Sequence, residues 1–290
     1  MLLFTLSDRP ERPSVKNRIL FLLFTILFIG TSCQSIPRKP SEPDNHRFYT
    51  YAGLPAVSDY PNSLKVLFNE GYVAGYDETR GVPAWVAYRV ESVDEDSTYD
   101  RPGRFLIDDR TENRISHDHY THSGYDRGHM APNYAIVMQH GEDAQRETFL
   151  MTNIIPQTPE LNRQWWRELE SLIARDYSET FDVVWVTTGP VFRDEREWLQ
   201  DEVRVPSHNF KILKVEENGD LKMKAFLVPQ GIDGSDPLEP YLVPVDRIEE
   251  LTGFDFHPAL DPEVADRLES IHPSRLWNSE DESDSDGDSD

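Results

Sequence analysis

Tyr125-Asp126-Arg127-Gly128-His129-Met130-Ala131-Pro132-Asn133-Tyr134 sets an imidazole two residues after a fixed guanidinium, around a glycine that lets backbone approach closely. A second block follows: Thr152-Asn153-Ile154-Ile155-Pro156-Gln157, then Leu161-Asn162-Arg163-Gln164-Trp165-Trp166, then Glu170. Together they supply a proton acceptor, a cation for an anionic substrate, and a carboxamide with a carboxylate suited to a hydrated metal ion. Phosphodiester hydrolysis needs those parts: an activated water, charge neutralisation on the phosphoryl oxygens, and help for the departing alkoxide. His129 is the natural base, because an imidazole titrates close to neutral pH and can take a proton and return it.

The two blocks, with their internal spacing, resemble the DNA/RNA non-specific endonuclease family, in its endonuclease G-like group with a ββα-metal active site. The similarity runs from about Tyr72 to Leu260 and takes in the stretches from Val183 to Phe192 and from Leu251 to Phe256. It implies an α+β fold, a central antiparallel sheet flanked by helices. It also implies a metal-dependent endonuclease that cuts DNA, RNA or both with little regard for sequence or sugar, leaving 5′-phosphate and 3′-hydroxyl ends. The resemblance gives His129 the role of general base and makes Asn162 the protein ligand of a largely hydrated Mg2+, with Mn2+ as a substitute. Magnesium prefers oxygen donors and gives up water reluctantly, which suits a single carboxamide. Glu170 then accepts from metal-bound water, and Asn153 orients His129 or the substrate. Arg127 binds phosphate or braces the site through an ion pair, and Arg104 neutralises charge in the transition state. Many members of the family form homodimers.

Several of these residues also have plainer roles open to them. Asn162 stands where a helix begins and could cap it. Asp126 reads as structural, holding Arg127 or a backbone turn. Gly128 suits a backbone shape closed to other residues. Trp165 and Trp166 could stack bases, although at least one belongs in the core. His117, His119 and His122 could be taken for a zinc cluster, which would make the chain a zinc-dependent hydrolase. No Cys accompanies them, and the segment reads as a loop without the spacing of a helical His pair. The other rival is an inactive surface lipoprotein of the same fold that binds an anionic partner; the presence of both His129 and Asn162 speaks against it.

The chain's charge is awkward for a nucleic-acid binder. It carries 53 acidic against 29 basic residues in 290, a net charge of −24. Bulk attraction to a polyanion is therefore weak or repulsive, and cations must be gathered locally. One cysteine, Cys33, excludes an internal disulfide. The apolar run from Ile19 to Ile29 follows Lys16 and Arg18 and has the length of a signal-peptide core, too short to span a bilayer comfortably. Gly30-Thr31-Ser32-Cys33 then resembles a bacterial lipoprotein cleavage box, with Gly30 where Leu is usual. The expectation is an exported protein, periplasmic or at the cell surface, anchored to the membrane by lipid on Cys33. A plain secretory signal and a retained membrane anchor are the alternatives.

Four segments follow: a signal peptide over 1–33, a Pro- and Ser-rich tether over 34–48, the catalytic domain over 49–277, and a disordered acidic tail over 278–290. The tail has the texture of a calcium loop but lacks its closing Glu. Within the domain, residues 83 to 90 alternate as a strand should, and 181 to 187 form an apolar, β-branched run that predicts a buried strand. Asn218-Gly219 between two alternating runs predicts a hairpin. Residues 162 to 177 predict a helix burying Trp165, Leu169, Leu172 and Ile173, and shorter helices are predicted over 245–251 and 262–271.

Overall fold

A computed structural model of the protein describes residues 48–57, 64–93, 99–193 and 197–277. The signal segment, Cys33, nearly all of the tether and the acidic tail lie outside the described residues. The centre is a seven-stranded antiparallel sheet. In chain order its strands are β1 (Leu64–Phe68), β2 (Tyr72–Asp77), β3 (Val82–Val90), β6 (Val184–Val191), β9 (His208–Glu217), β10 (Asp220–Pro229) and β11 (Leu242–Val243), and that is also their order across the sheet. Two short antiparallel pairs stand apart: β4 (Asp126–His129) with β5 (Ile154–Gln157), and β7 (Trp198–Leu199) with β8 (Val203–Arg204).

Both faces of the sheet are covered. On one face Tyr72, Tyr88, Val186, Leu213 and Phe226 pack under Met130, Ile155, Trp165 and Leu169. On the other, Trp85, Phe210, Ile212 and Ala225 pack against Val245, Ile248, Phe254 and Phe256. Two-sided burial explains why β3 is buried almost throughout, where its sequence suggests a strand with one wet face. The β9–β10 hairpin turns at Asn218 and Gly219, both at positive φ (54° and 86°), as a two-residue turn requires.

The helices are α1 (Asn133–Thr148), α2, α3 (Val245–Thr252) and α4 (Pro262–Glu269). Helix α2 is one helical run over 159–180. Its segments Leu161–Trp165 and Leu172–Tyr177 are wound as π-helix, whereas Trp166–Ser171 and Ser178–Thr180 are α-helical. Such wide turns are rare and frequently sit at functional sites. The run buries Trp165, Leu169 and Ile173, with Leu172 half-buried. The strand predicted from Phe181 begins three residues later. Phe181 instead closes α2, its N–H donating to the Tyr177 carbonyl (2.9 Å) and its ring packing on Tyr177 and Trp277.

Candidate active site

Two strands and a helix make the site. β4 pairs with β5 in the register Asp126↔Gln157 to His129↔Ile154, and α2 follows β5 almost at once. Gly128 is needed here for closeness, since its φ is not among the positive ones. A Cβ at Gly128 would lie 2.0 Å from Gln157 Oε1 and 2.5 Å from its Cδ. The expected role of permitting a special backbone shape is therefore replaced by one of allowing two strands to meet over a buried amide. Gly128→Ala is expected to lower stability by about 1–3 kcal/mol in thermal or denaturant unfolding. Adding Gln157→Ala should recover part of the loss, and an unshifted melting curve for Gly128→Ala would refute the steric account.

His129 ends β4 between Phe105 (ring centroids 5.4 Å apart) and Phe149 (4.9 Å). Its Nε2 is buried and accepts or donates no hydrogen bond among the described residues. Burial, with a smaller push from Arg101, lowers its pKa to about 3, so the ring is neutral at ordinary pH. Asn153 is fully buried. Its Oδ1 accepts from Ala131 N (2.8 Å), and its Nδ2 donates to Ala131 O (3.0 Å) and Thr148 O (2.9 Å). Met130 N donates to the Asn153 carbonyl (3.0 Å). Asn153 thus fixes the backbone just past His129, and its side chain is not among those that line the cleft. Its amide is spent on main-chain groups that would otherwise be buried unpaired.

Asn162 lies inside the first turn of α2, where its N–H donates to the Thr158 carbonyl (2.9 Å), so it is not a helix cap. Its Nδ2 donates to Asp126 Oδ2 (3.0 Å), which leaves the carboxamide oxygen as the atom able to ligate an ion. The Asp126 carboxylate is gripped from outside by Arg163, whose Nε and Nη2 each lie 2.7 Å away. Arg163 first, then Asn162, holds the Asp126 pKa below its usual value against the opposing effect of burial. The partner of Asp126 is therefore Arg163 and not Arg127. Arg127 donates to His117 O (2.5 Å) and Thr121 Oγ1 (3.0 Å) and lies over the rings of Tyr120 and Phe105. It is braced by a carbonyl, a hydroxyl and two rings instead of an ion pair.

Glu170 faces Lys211 Nζ at 3.5 Å. The lysine is fully buried in β9, close to the Tyr88 hydroxyl (3.2 Å) and 4.5 Å from the Trp166 ring centre. Burial raises the Glu170 pKa and lowers that of Lys211, each opposed by the other's charge. Trp165 and Trp166 are both buried, Trp165 against Phe226 and Tyr241.

These groups open on one cleft of about 520 Å³, within the usual size of a ligand site. His129, Asn162 and Glu170 line it with Arg101, Arg127, Arg163, Arg167 and Arg175. Arg104 does not; it is exposed and outside the cleft. Arg101, three residues earlier, is the upstream arginine at the cleft, with its guanidinium 5.1 Å from the Phe149 ring. Arg163, Arg167 and Arg175 carried a signal in sequence, since they recur along the same predicted helix as Asn162 and Glu170. Lys211 carried none, being a lysine in an apolar strand.

His117, His119 and His122 do not converge on a metal position among the described residues. His119 Nδ1 lies 3.1 Å from Ser116 Oγ, closing a local turn. Another group does come together, on the far face of the sheet: Glu249, His257 and Glu269. Burial pushes both carboxyls up to about 7 and His257 well below its ordinary value. Glu269 Oε1 and His257 Nδ1 share a hydrogen bond across 2.6 Å. Both carboxyls have folded-state values above their ordinary 4.5. Their contribution to stability is therefore full below that value and lost as pH rises through about 7. Lys214 beneath them acts in the opposite sense. Burial lowers it from 10.5 to about 7, so its contribution is lost as pH falls through that value. Glu269→Gln, which keeps a donor toward His257 and removes one titration, is expected to lose less melting temperature than wild type between about pH 5 and about pH 8. Parallel curves for the two proteins would contradict this assignment.

A β-hairpin-like pair feeding a helix, with an imidazole at the strand end and a carboxamide in the first helical turn, defines the ββα-metal class of nuclease. The DNA/RNA non-specific endonuclease family matches residues 54–263, most of the chain, and the chain belongs to that family. It is 32% identical to human mitochondrial endonuclease G over 216 residues, which cover 68% of this chain and 71% of that one. It is 33% identical to the mitochondrial nuclease EXOG of Xenopus laevis over 208 residues, covering 66% of this chain and 57% of the relative. A solved EndoG/EndoGI complex superposes with a TM-score of 0.66 at 27% identity, covering 77% of this chain and 94% of that one. The protein is thus a hydrolytic nuclease that uses a divalent metal and acts on nucleic acid.

Proposed function

We propose that this cleft cuts phosphodiesters of DNA and RNA with little sequence preference, with His129 as general base and Asn162 as the protein ligand of a hydrated magnesium ion. The convergence of His129, Asn162 and Glu170 on one arginine-lined cleft carries this reading. The residues fit such an ion. Asn162 offers a carboxamide oxygen whose orientation Asp126 and Arg163 enforce, and Glu170 offers a carboxylate to metal-bound water. When bound, the ion supplies charge stabilisation to the phosphoryl oxygens and the departing 3′ oxygen. His129, neutral because it is buried, takes the proton of the attacking water. Arg101 and Arg127 neutralise the phosphate, and Asn153 positions His129 through the backbone.

Digestion of supercoiled plasmid and of RNA, with magnesium and then with chelator, tests the reading. Both substrates should be cut in magnesium and spared in chelator. Undiminished cutting in chelator would refute it, and no cutting under any metal would favour an inactive binding protein. The amino-terminal sequence further supports an exported nuclease held at a membrane by lipid on Cys33, tested by whether lipid labelling is lost in Cys33→Ala.

A further inference from the structure

The group that converges on the far face of the sheet comes from three separate elements. Glu249 belongs to α3, His257 to the loop that follows it, and Glu269 to the last position of α4. One ligand atom of each lies within 4.8 Å of the other two. Phe256 seats the loop, its ring packing on Phe210 of β9 with centroids 5.1 Å apart. Its N–H donates to Glu249 Oε1 (2.9 Å) and so orients that carboxylate. A solvated acidic patch is built differently: here the His257 side chain is fully buried, that of Glu269 is 8% exposed, and Glu249 is half-buried.

Two observations point to a ligand. The first is the imidazole. His257 Nδ1 shares its hydrogen bond with Glu269, and the buried Nε2 has no partner among the described residues. Buried ring nitrogens are ordinarily satisfied. A ring held by a carboxylate at one nitrogen and bare at the other is how a histidine is prepared for a metal ion. The second is charge. The carboxylates of Asp246 and Asp255 act on Glu249, and those two with Asp266 act on Glu269. Against them stands Lys214, whose charge reaches Glu269 and His257 and whose ammonium donates to Thr187 Oγ1 (2.7 Å). Carboxylates crowded away from water are costly to ionise unless a cation offsets them.

The donor set selects the ion. Magnesium and calcium call for oxygen donors. Two carboxylates and an imidazole suit zinc, which takes ligands at ~2.0–2.2 Å and can complete its shell with water. A tetrahedral shell of that size sets ligand atoms ~3.3–3.6 Å apart, so the three side chains need only a small inward movement.

We propose that Glu249, His257 and Glu269 form a zinc site that ties α3, the loop after it and α4 together behind the sheet. None of the three lines the catalytic cleft. The pH dependence described for Glu269 belongs to protein freed of zinc.

The test is calorimetric titration of the full chain with zinc, after chelation and with excess magnesium present throughout to occupy the cleft. Wild type should bind zinc at this site and melt about 5–10 °C higher at about a hundredfold excess over Kd. His257→Gln and Glu249→Gln should each weaken binding by at least about tenfold, and Asn162→Ala should leave it unchanged. Cobalt in place of zinc should give wild type the visible absorption of a four-coordinate site, a readout that stands even if both ligand variants fail to fold. Magnesium-saturated wild type that binds no zinc, or cobalt without that absorption, would overturn the proposal and leave a proton-sharing cluster. Zinc held equally by His257→Gln, or lost in Asn162→Ala, would place the ion elsewhere and overturn it too.

Discussion

Replacing His129 by alanine is expected to lower kcat/KM on plasmid DNA by about 10²- to 10⁴-fold, the usual contribution of a general base. The fold should survive, because the ring makes no hydrogen bond through its buried Nε2 among the described residues and packs on Phe105 and Phe149. The pH profile adds a sharper signature. Burial and then Arg101 lower the folded-state value to about 3, so the free enzyme keeps a neutral imidazole far below the pH at which an ordinary histidine charges. The acid limb of kcat/KM should therefore lie well below 6.5, the ordinary value. A phosphate bound beside Arg101 would offset that part of the depression and bring its own negative charge. The limb in kcat, which reports the enzyme–substrate complex, should lie higher than the limb in kcat/KM. Arg101→Ala should move the kcat/KM limb upward. An alanine variant at 129 that keeps more than about a tenth of wild-type activity would remove the imidazole from the chemistry.

Asn162→Ala is the second large effect. Loss of the carboxamide oxygen that Asn162 brings to the cleft from the first turn of α2 is expected to cost at least about a hundredfold in activity and to raise the magnesium concentration for half-maximal rate by about 10- to 100-fold. Asp126→Asn should reproduce part of this shift. It cannot hold both the Asn162 amide and the Arg163 guanidinium as a carboxylate does. Titration of activity with magnesium in the three proteins checks both statements. An Asn162→Ala enzyme with unchanged magnesium dependence would place the ion elsewhere.

Much of this was readable along the chain, because the site is assembled from two contiguous blocks. The residues from Asp126 to His129 and from Asn153 to Glu170 include His129, Arg127, Asn162 and Glu170 of the cleft lining, and the Asn218-Gly219 turn announced its hairpin. What was lost is what only folding creates. Asp126 meets Arg163 across a long sequence separation, and nothing local favours that partner over its neighbour Arg127. Arg101 and Arg104 share a loop without periodicity, so no pattern says which one turns inward. Asn153 bonds main-chain atoms, which have no sequence signature. Lys211 and Lys214 carry no mark of burial in the sequence, yet both are buried, one opposite Glu170 and the other donating to Thr187 Oγ1 (2.7 Å). The start of α2 was misplaced because its opening turn is wound wide and begins before Asn162.

The Asn153 side chain ties Ala131, just before α1, to Thr148, at its end. The excursion between those points leaves and returns through one knot, and Gly141 breaks its helical path halfway at φ 82° and ψ −172°. With its ends already joined, added length at the break costs only the slow logarithmic growth of loop entropy. That corner, where Glu142 and Asp143 are exposed, is a natural graft point for a fluorophore, an affinity handle or a targeting peptide, remote in bonding from the machinery the knot secures.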